Sequence, residues 1–266
     1  MKTKDSLGTR MKEFYEAIPK TRLMRRVPVA IRIDGKAFHT FTRGFIKPFD
    51  KILMESMQET MKYLCENIQG CVFGYTQSDE ITLILIDYQT FDTAAWFDYE
   101  VQKICSVAAS MATMQFNKIF TKKAEQFDWD LHEAWNISDE EEKYCNTLRK
   151  AVQMGAVFDA RCFNIPKEEV CNLIYWRQQD AARNSIQMVG RAYFSHKELQ
   201  NKNTSAIQDM LHERFNINWN DYPVTCKRGS ACTKTTEGKW LVDFDMPILK
   251  GEYRTYVDDL IYVGEE

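Results

Sequence analysis

Apolar positions along this chain recur with periods that assign its elements in order. Residues 6–17 form a short polar stretch of helical character. Val29, Ile31 and Ile33 then alternate with Ala30 and Arg32, the period of a strand, and predict one over 27–33. Asp50 follows Pro48-Phe49 in an N-cap position, and Leu53, Met57, Met61, Leu64 and Ile68 recur at helical spacing behind it. Cys71–Tyr75 reads as a second strand and Ile81–Ile86 as a third. The polar turn between them holds Ser78 and Asp79, which predicts an antiparallel hairpin. The third strand is apolar on both faces, hence central. Phe97, Val101, Ile104, Ala108 and Met111 mark a second long helix. Residues 122–150 are charged and weakly periodic, with Ser138-Asp139-Glu140-Glu141-Glu142 near the middle, and read as a mobile surface loop. Residues 157–165 read as a fourth strand.

Strand, helix, strand, strand, helix, strand is the ferredoxin-like βαββαβ order, an α+β fold in which the first and third strands are central neighbours. The hairpin turn then lies beside the end of the first strand, and Asp34 and Asp79 converge in space. From Glu168 the chain is helical again. Arg177, Asp180, Asn184, Gln187 and Arg191 form a polar stripe, with Ala182, Ile186, Val189 and Tyr193 on the opposite, apolar side. Asn203–Arg214 predicts a further helix, and the remainder mixes short strands and turns. The expected organisation is a palm-like core over 1–165 with a helical and mixed C-terminal region, 166–266, completing one compact unit. There is no internal repeat and no low-complexity tract.

That arrangement places chemistry at one sheet edge. Arg32-Ile33-Asp34-Gly35-Lys36 ends the first strand and Gln77-Ser78-Asp79-Glu80 begins the third. Two neighbouring strand ends carrying carboxylates suit Mg²⁺, which binds through one or two carboxylates and completes its shell with water and substrate phosphates. Such a site points to phosphoryl or nucleotidyl transfer. Each half is also a plain turn in isolation, since Asp-Gly is common in turns. Gly35 lets the backbone approach a ligand closely, so its carbonyl is a candidate metal ligand. Lys36, Ala37, Phe38, His39, Lys47, Asp50 and Ser78 surround this edge in sequence. Lys47 has the charge to meet a triphosphate and Phe38 the ring to meet a base; the alternative is a basic loop with core aromatics. Strand alternation turns Glu80 away from Asp79. Arg161, on the fourth strand, faces the site or forms an edge-strand ion pair. The Arg177 stripe, with Gln178, Asp180 and Asn184, is a candidate RNA-binding face, as is Lys227-Arg228, and a solvated helix face or a subunit contact is the equal alternative.

Composition narrows the partners. The 266 residues carry a net charge of −3, so a nucleic acid would have to meet a local basic patch. No apolar run is long enough to span a bilayer, and Met1–Asp5 lack the apolar core of a signal peptide, which together predict a cytoplasmic protein without membrane contact. The eight cysteines include no C-x-x-C pair, and they read as ordinary thiols, with Cys65, Cys105 and Cys162 in core patterns.

Four blocks together resemble the tRNA-His guanylyltransferase superfamily, the 3′-to-5′ nucleotide polymerases: IRIDGKAFHTF with KPFD, GYTQSDEITLIL, FDARCFNIP, and YWRQQDAARNSI followed by CKRG. The resemblance implies a polymerase-type palm and a homotetramer. It implies that Asp34 and Asp79 hold two Mg²⁺ ions with help from the Gly35 carbonyl, that Glu80 supports the catalytic site, and that Lys36–His39, Lys47, Asp50 and Ser78 bind the nucleotide. Arg161, Arg177, Gln178, Asp180, Asn184, Lys227 and Arg228 would then meet tRNA. The implied reaction activates a 5′-monophosphate with ATP, after which the 3′-hydroxyl of GTP or another NTP attacks the activated phosphate. Where the eukaryotic tRNA-His enzymes read W-R-Q-x-D-x-H-x-N-N, this chain has Ala182 at the histidine position and Ser185 at the second asparagine. That departure is similar to the guanylyltransferase-like branch and implies template-dependent 5′-end repair of truncated tRNA. The competing expectations are addition of the extra 5′ guanosine to tRNA-His, a nucleotide cyclase, and a non-catalytic RNA-binding palm.

Overall fold

The computed structural model describes residues 6–133 and 137–263. A short helix α1, Ser6–Met11, runs into a π-helical turn at Lys12–Glu16. The elements that follow are β1 (Val29–Gly35), α2 (Phe38–Phe41), α3 (Lys51–Asn67), β2 (Cys71–Gln77), β3 (Glu80–Leu85), α4 (Val101–Glu133), α5 (Asp139–Met154) and β4 (Phe158–Asn164). After them come α6 (Lys167–Tyr193), α7 (His196–Leu199), α8 (Thr204–Phe215), α9 (Val224–Arg228), β5 (Ser230–Lys234), β6 (Trp240–Asp243) and α10 (Thr255–Ile261). The sheet has the order β4-β1-β3-β2-β5-β6, and every pairing is antiparallel. Its first four strands have the order of the ferredoxin-like palm, and β5 and β6 extend the β2 edge.

Strand alternation sorts the core onto two sides of the sheet. Val29, Ile31, Ile33, Ile81, Leu83 and Leu85 pack with Met57, Met61 and Leu64 of α3 and Ile104, Ala108 and Phe116 of α4. Ala30, Phe73, Tyr75 and Ile84 face the other way, against Val170, Cys171 and Ile174 of α6 and Val257 and Ile261 of α10. The far half of α6 carries a third cluster, Ile186, Val189, Ile207 and Leu211, shared with α8. Tyr193, expected on the apolar stripe of α6, is exposed. All eight cysteines are free.

The expected loop over 122–150 is instead the end of α4 and most of α5; residues 134–136 lie outside the described part. Ile119, Phe120, Ala124 and Leu131 continue the buried face of α4, and Tyr144, Cys145, Leu148 and Ala151 form that of α5. The acidic run is a helix start. Ser138 accepts the Glu141 backbone N–H, and the Glu141 carboxylate accepts from the Ser138 amide at 3.0 Å, a reciprocal capping box. Acidic residues in a first turn also suit the positive end of the helix dipole. Ser138→Ala should lower stability by about 1 kcal/mol, measurable by denaturant titration, because the Glu141 amide loses its partner. No loss would mean that this helix end does not depend on its cap. Among the described residues, no helix is long and apolar enough to cross a membrane.

Candidate active site

Register brings the predicted carboxylates to one sheet edge. Asp34 lies opposite Glu80 on β3 and opposite Asp159 on β4. The Gly35 amide donates to the Asp79 backbone carbonyl at 3.1 Å, and the Lys36 amide to the Val157 carbonyl at 2.8 Å, so the end of β1 is clamped on both sides. Gly35 is required by packing: a Cβ there would sit 2.2 Å from the Phe38 ring. Ser78 takes the left-handed conformation (φ 51°) that lets the hairpin turn tightly, and its hydroxyl donates to the Asp79 carboxylate at 2.9 Å.

The edge is crowded with negative charge. Burial, then the neighbouring Asp79, Glu80 and Asp159 carboxylates, push the Asp34 carboxyl above the usual carboxylate range, against a smaller opposing effect of Arg161. Burial likewise raises the Asp79 carboxyl, partly offset by the Ser78 hydrogen bond. A pair of carboxylates that is costly to ionise without a counterion is chemically suited to a hard divalent cation. The donor set fits Mg²⁺, with Asp34 and Asp79 as carboxylate ligands and a backbone carbonyl at Gly35. Among the described residues there is no group of three or more His, Cys, Asp and Glu arranged to hold a metal. The remaining ligands in such a site would come from water and phosphate.

A cavity of about 500 Å³ opens from Gly35 and Asp79. Its lining includes Ala37, Phe38, His39, Lys47, Asp50 and Ser78 from the predicted nucleotide-binding set, together with Thr42, Phe45 and Met188. That volume falls within the range of small-molecule sites. Lys47 also borders a second cavity of about 510 Å³ with Gln187, Arg191 and His196. A larger cavity of about 680 Å³ between α3, α9 and β6 contains none of the predicted site residues; the carboxylates, not size, locate the site.

Several predicted residues serve structure at this edge. Phe38 is buried in a ring cluster with Phe41, Phe116 and Phe158 and supports Gly35 from below. The Asp50 carboxylate caps α3 through Leu53 N at 2.9 Å and also accepts from Ile46 N and the Tyr144 hydroxyl. Glu80 points toward α6. One of its oxygens accepts from Arg32 and the other from Arg177 Nε at 2.7 Å. Arg177 extends the chain of charges to Asp180 at 2.9 Å.

The polar stripe of α6 therefore divides. Arg177 and Gln178 are 6% and 3% exposed, which corrects the expectation that they present a face to solvent or RNA. Gln178 joins the C-terminal segment, donating to Pro247 O at 2.8 Å and accepting from Leu249 N at 3.0 Å. Asp180 accepts from Arg177, Arg183 and Asn184, while Asn184 itself is exposed. Lys227 donates to the Asn220 carbonyl, and Arg228 Nε to Met246 O at 3.4 Å, so both brace the segment before β5. Arg161 is exposed on the edge strand, 3.4 Å from Asp159. Sequence reasoning missed Arg32 and Met188. Arg32 was detectable: a cation two positions before Asp34 in a central strand needs a buried partner. Met188 carried no comparable signal.

Comparisons with known proteins agree with this geometry. The family model for tRNAHis guanylyltransferase (Thg1) matches residues 8–166. A bacterial tRNA(His) guanylyltransferase (Thg1)-like protein solved in complex with ATP is 42% identical, with a TM-score of 0.82, over 97% of this chain and 100% of its own. A bacterial Thg1-like protein in complex with GTP is 38% identical over the same shares, with a TM-score of 0.75. The probable tRNA(His) guanylyltransferase of Dictyostelium discoideum is 27% identical over 225 residues, 80% of this chain and 77% of that protein. With its palm sheet, paired edge carboxylates and adjoining cavity, this chain belongs to the tRNAHis guanylyltransferase family of nucleotidyltransferases.

Proposed function

We propose that this protein adds nucleotides to the 5′ end of tRNA in the 3′-to-5′ direction, copying the opposite strand of the acceptor stem, and so restores truncated ends. Support for nucleotide binding comes from the cavity beside Asp79 and from relatives of this length and identity solved with ATP and GTP. Asp34 and Asp79, with the Gly35 carbonyl, would hold two Mg²⁺ ions. Bound there, Mg²⁺ supplies positive charge to the attacking and leaving oxygens of a phosphoryl transfer. Lys47, which is exposed between the two cavities, offsets triphosphate charge, and His39 lines the same opening. The Gly35–Asp79 backbone bond keeps the two acidic segments in register while the substrate changes. Arg161 and Asn184 are the predicted RNA contacts that remain exposed. The exposed Phe14 and Tyr15, in a π-helical turn with no buried residue, and the exposed Ile18 just after it support assembly with further copies of the chain, in line with the expected tetramer.

The observation that favours repair over tRNA-His-specific addition is the side chain at 185. Ser185 is 3% exposed and accepts from Trp219 Nε1 at 2.9 Å, and Ala182 offers no hydrogen-bonding group. The two positions that depart from the tRNA-His motif therefore offer no free polar side chain to a tRNA. Ala182→His alone should leave selectivity for tRNA-His within about twofold in a competition assay, since one contact does not supply discrimination that requires several unpaired groups. A large gain would place the specificity in that residue.

The direct test uses the full chain with Mg²⁺, ATP and all four NTPs. The substrates are tRNA transcripts lacking the first nucleotide, each with a labelled 5′-monophosphate and a different acceptor stem. Addition that follows the opposite base and stops at the full-length end is expected. Guanosine addition confined to tRNA-His would replace this reading with the His-specific one.

A further inference from the structure

Trp176 is an exposed aromatic beside the catalytic edge with no part in the core. It stands on α6, is 46% exposed and belongs to none of the three apolar clusters. The Arg177 guanidinium carbon lies 4.6 Å from its ring centroid and that of Arg32 lies 5.5 Å away. Both guanidiniums bind the single Glu80 carboxylate, so the ring packs against cations that are themselves held in place. Nearly half of the residue's surface remains in water. A rigid, half-exposed indole is poorly explained by packing and well suited to binding a flat partner.

Its position identifies the partner. Arg32 lies two residues before Asp34 on the same face of β1, roughly 7 Å along the strand. Across the strands Arg32 pairs with Arg161, and Asp34 pairs with Asp159. Trp176, Arg161 and Asp34 therefore share the α6 side of the sheet edge. Met188, which lines the nucleotide cavity, lies roughly 18 Å further along α6. Asp79 itself lines that cavity, while Asp34 shares the α6 side of β1 with Arg32, whose guanidinium lies against the indole. Arg161 is exposed, and its contact with Asp159 is long, so its guanidinium is free to turn toward a phosphate.

We propose that Trp176 is the stacking platform for the 5′-terminal base pair of the RNA, with Arg161 on an adjacent backbone phosphate. This rests on the reading that the chain extends RNA 5′ ends. Stacking uses the π-face that every base has, so it positions the end without reading its sequence. That property suits an enzyme whose sequence information comes from the opposite strand.

The test uses the full-length protein with Mg²⁺ and a 5′-monophosphorylated acceptor-stem hairpin carrying 2-aminopurine as its 5′-terminal nucleotide. Binding to the wild type should change the 2-aminopurine emission. Trp176→Ala should abolish that change and weaken hairpin binding roughly tenfold, raising KM for RNA while leaving KM for ATP unchanged. Trp176→Phe should restore most of both. A hairpin with an abasic 5′ terminus should bind the wild type as weakly as Trp176→Ala binds the intact hairpin, and the two losses should not add. A purely structural Trp176 would give losses that add, or an unchanged emission signal in Trp176→Ala, and either overturns the platform. If the wild type binds and extends the hairpin with no emission change, the platform falls and the polymerase reading stands. If the wild type binds no RNA, both fall.

Discussion

Replacing Asp34 or Asp79 with Asn should reduce nucleotide addition by about 10³-fold or more, in line with the several kcal/mol of transition-state stabilisation that a bound metal supplies. The same substitutions should not lower the melting temperature of the metal-free protein. Both carboxyls are raised above their usual range, Asp34 by burial and by Asp79, Glu80 and Asp159, and Asp79 mainly by burial. Their ionised forms therefore weaken the fold at neutral pH in the absence of a cation. Asn keeps the shape and removes the charge. Mg²⁺ should raise the melting temperature of the wild type by mass action, and Asn at either position should reduce or abolish that rise. Thermal unfolding with and without Mg²⁺, paired with single-turnover extension, checks both halves. Near-normal turnover by either variant would exclude the two-carboxylate site. Loss of turnover accompanied by a large drop in metal-free stability would make these residues structural.

The palm was legible because its signals are local and periodic. β1 and β3 carry apolar alternation or an unbroken apolar run, Asp50 marks the start of α3, and the order of elements fixes which strands are neighbours. The convergence of Asp34 and Asp79 followed from that topology. The stretch 122–150 was misread because its solvent face is dense in charge. That density masked the spacing of Tyr144, Cys145, Leu148 and Ala151, and the Ser138–Glu141 capping box passed as a loop. Arg177 and Gln178 failed for a different reason. Helical periodicity tells which residues share a face of α6, but not that this face meets Glu80 on a strand or Pro247 and Leu249 in the C-terminal segment. Those partners are distant in sequence. Arg32, Glu80 and Arg177 are each unremarkable as single letters and become a unit only when the sheet and α6 are assembled.

That unit leads to the second large effect. Glu80→Gln should destabilise the protein by about 3–5 kcal/mol, because Arg32 and Arg177 would remain largely buried without their shared counter-charge. For a chain of this size the melting temperature should fall on the order of 10 °C. Arg177→Ala should cost less, since Glu80 keeps Arg32, and Arg177→Lys should not restore the loss, because an ammonium cannot reproduce the guanidinium contacts to Glu80 and Asp180 together. The resemblance to the family assigns Glu80 to the catalytic set, whereas its geometry makes it the residue that ties α6 to the catalytic edge. The Mg²⁺-dependent rise in melting temperature separates the two. A positioning residue leaves that rise intact in Glu80→Gln while the metal-free stability drops. A metal ligand would show the opposite pattern, a lost Mg²⁺ response on an unchanged metal-free melting temperature, and that result would return Glu80 to the metal site. Because Arg32 and Arg177 also lie against the Trp176 ring, Glu80→Gln should in addition loosen RNA binding more than ATP binding, linking the buried charges to the surface on which the RNA end rests.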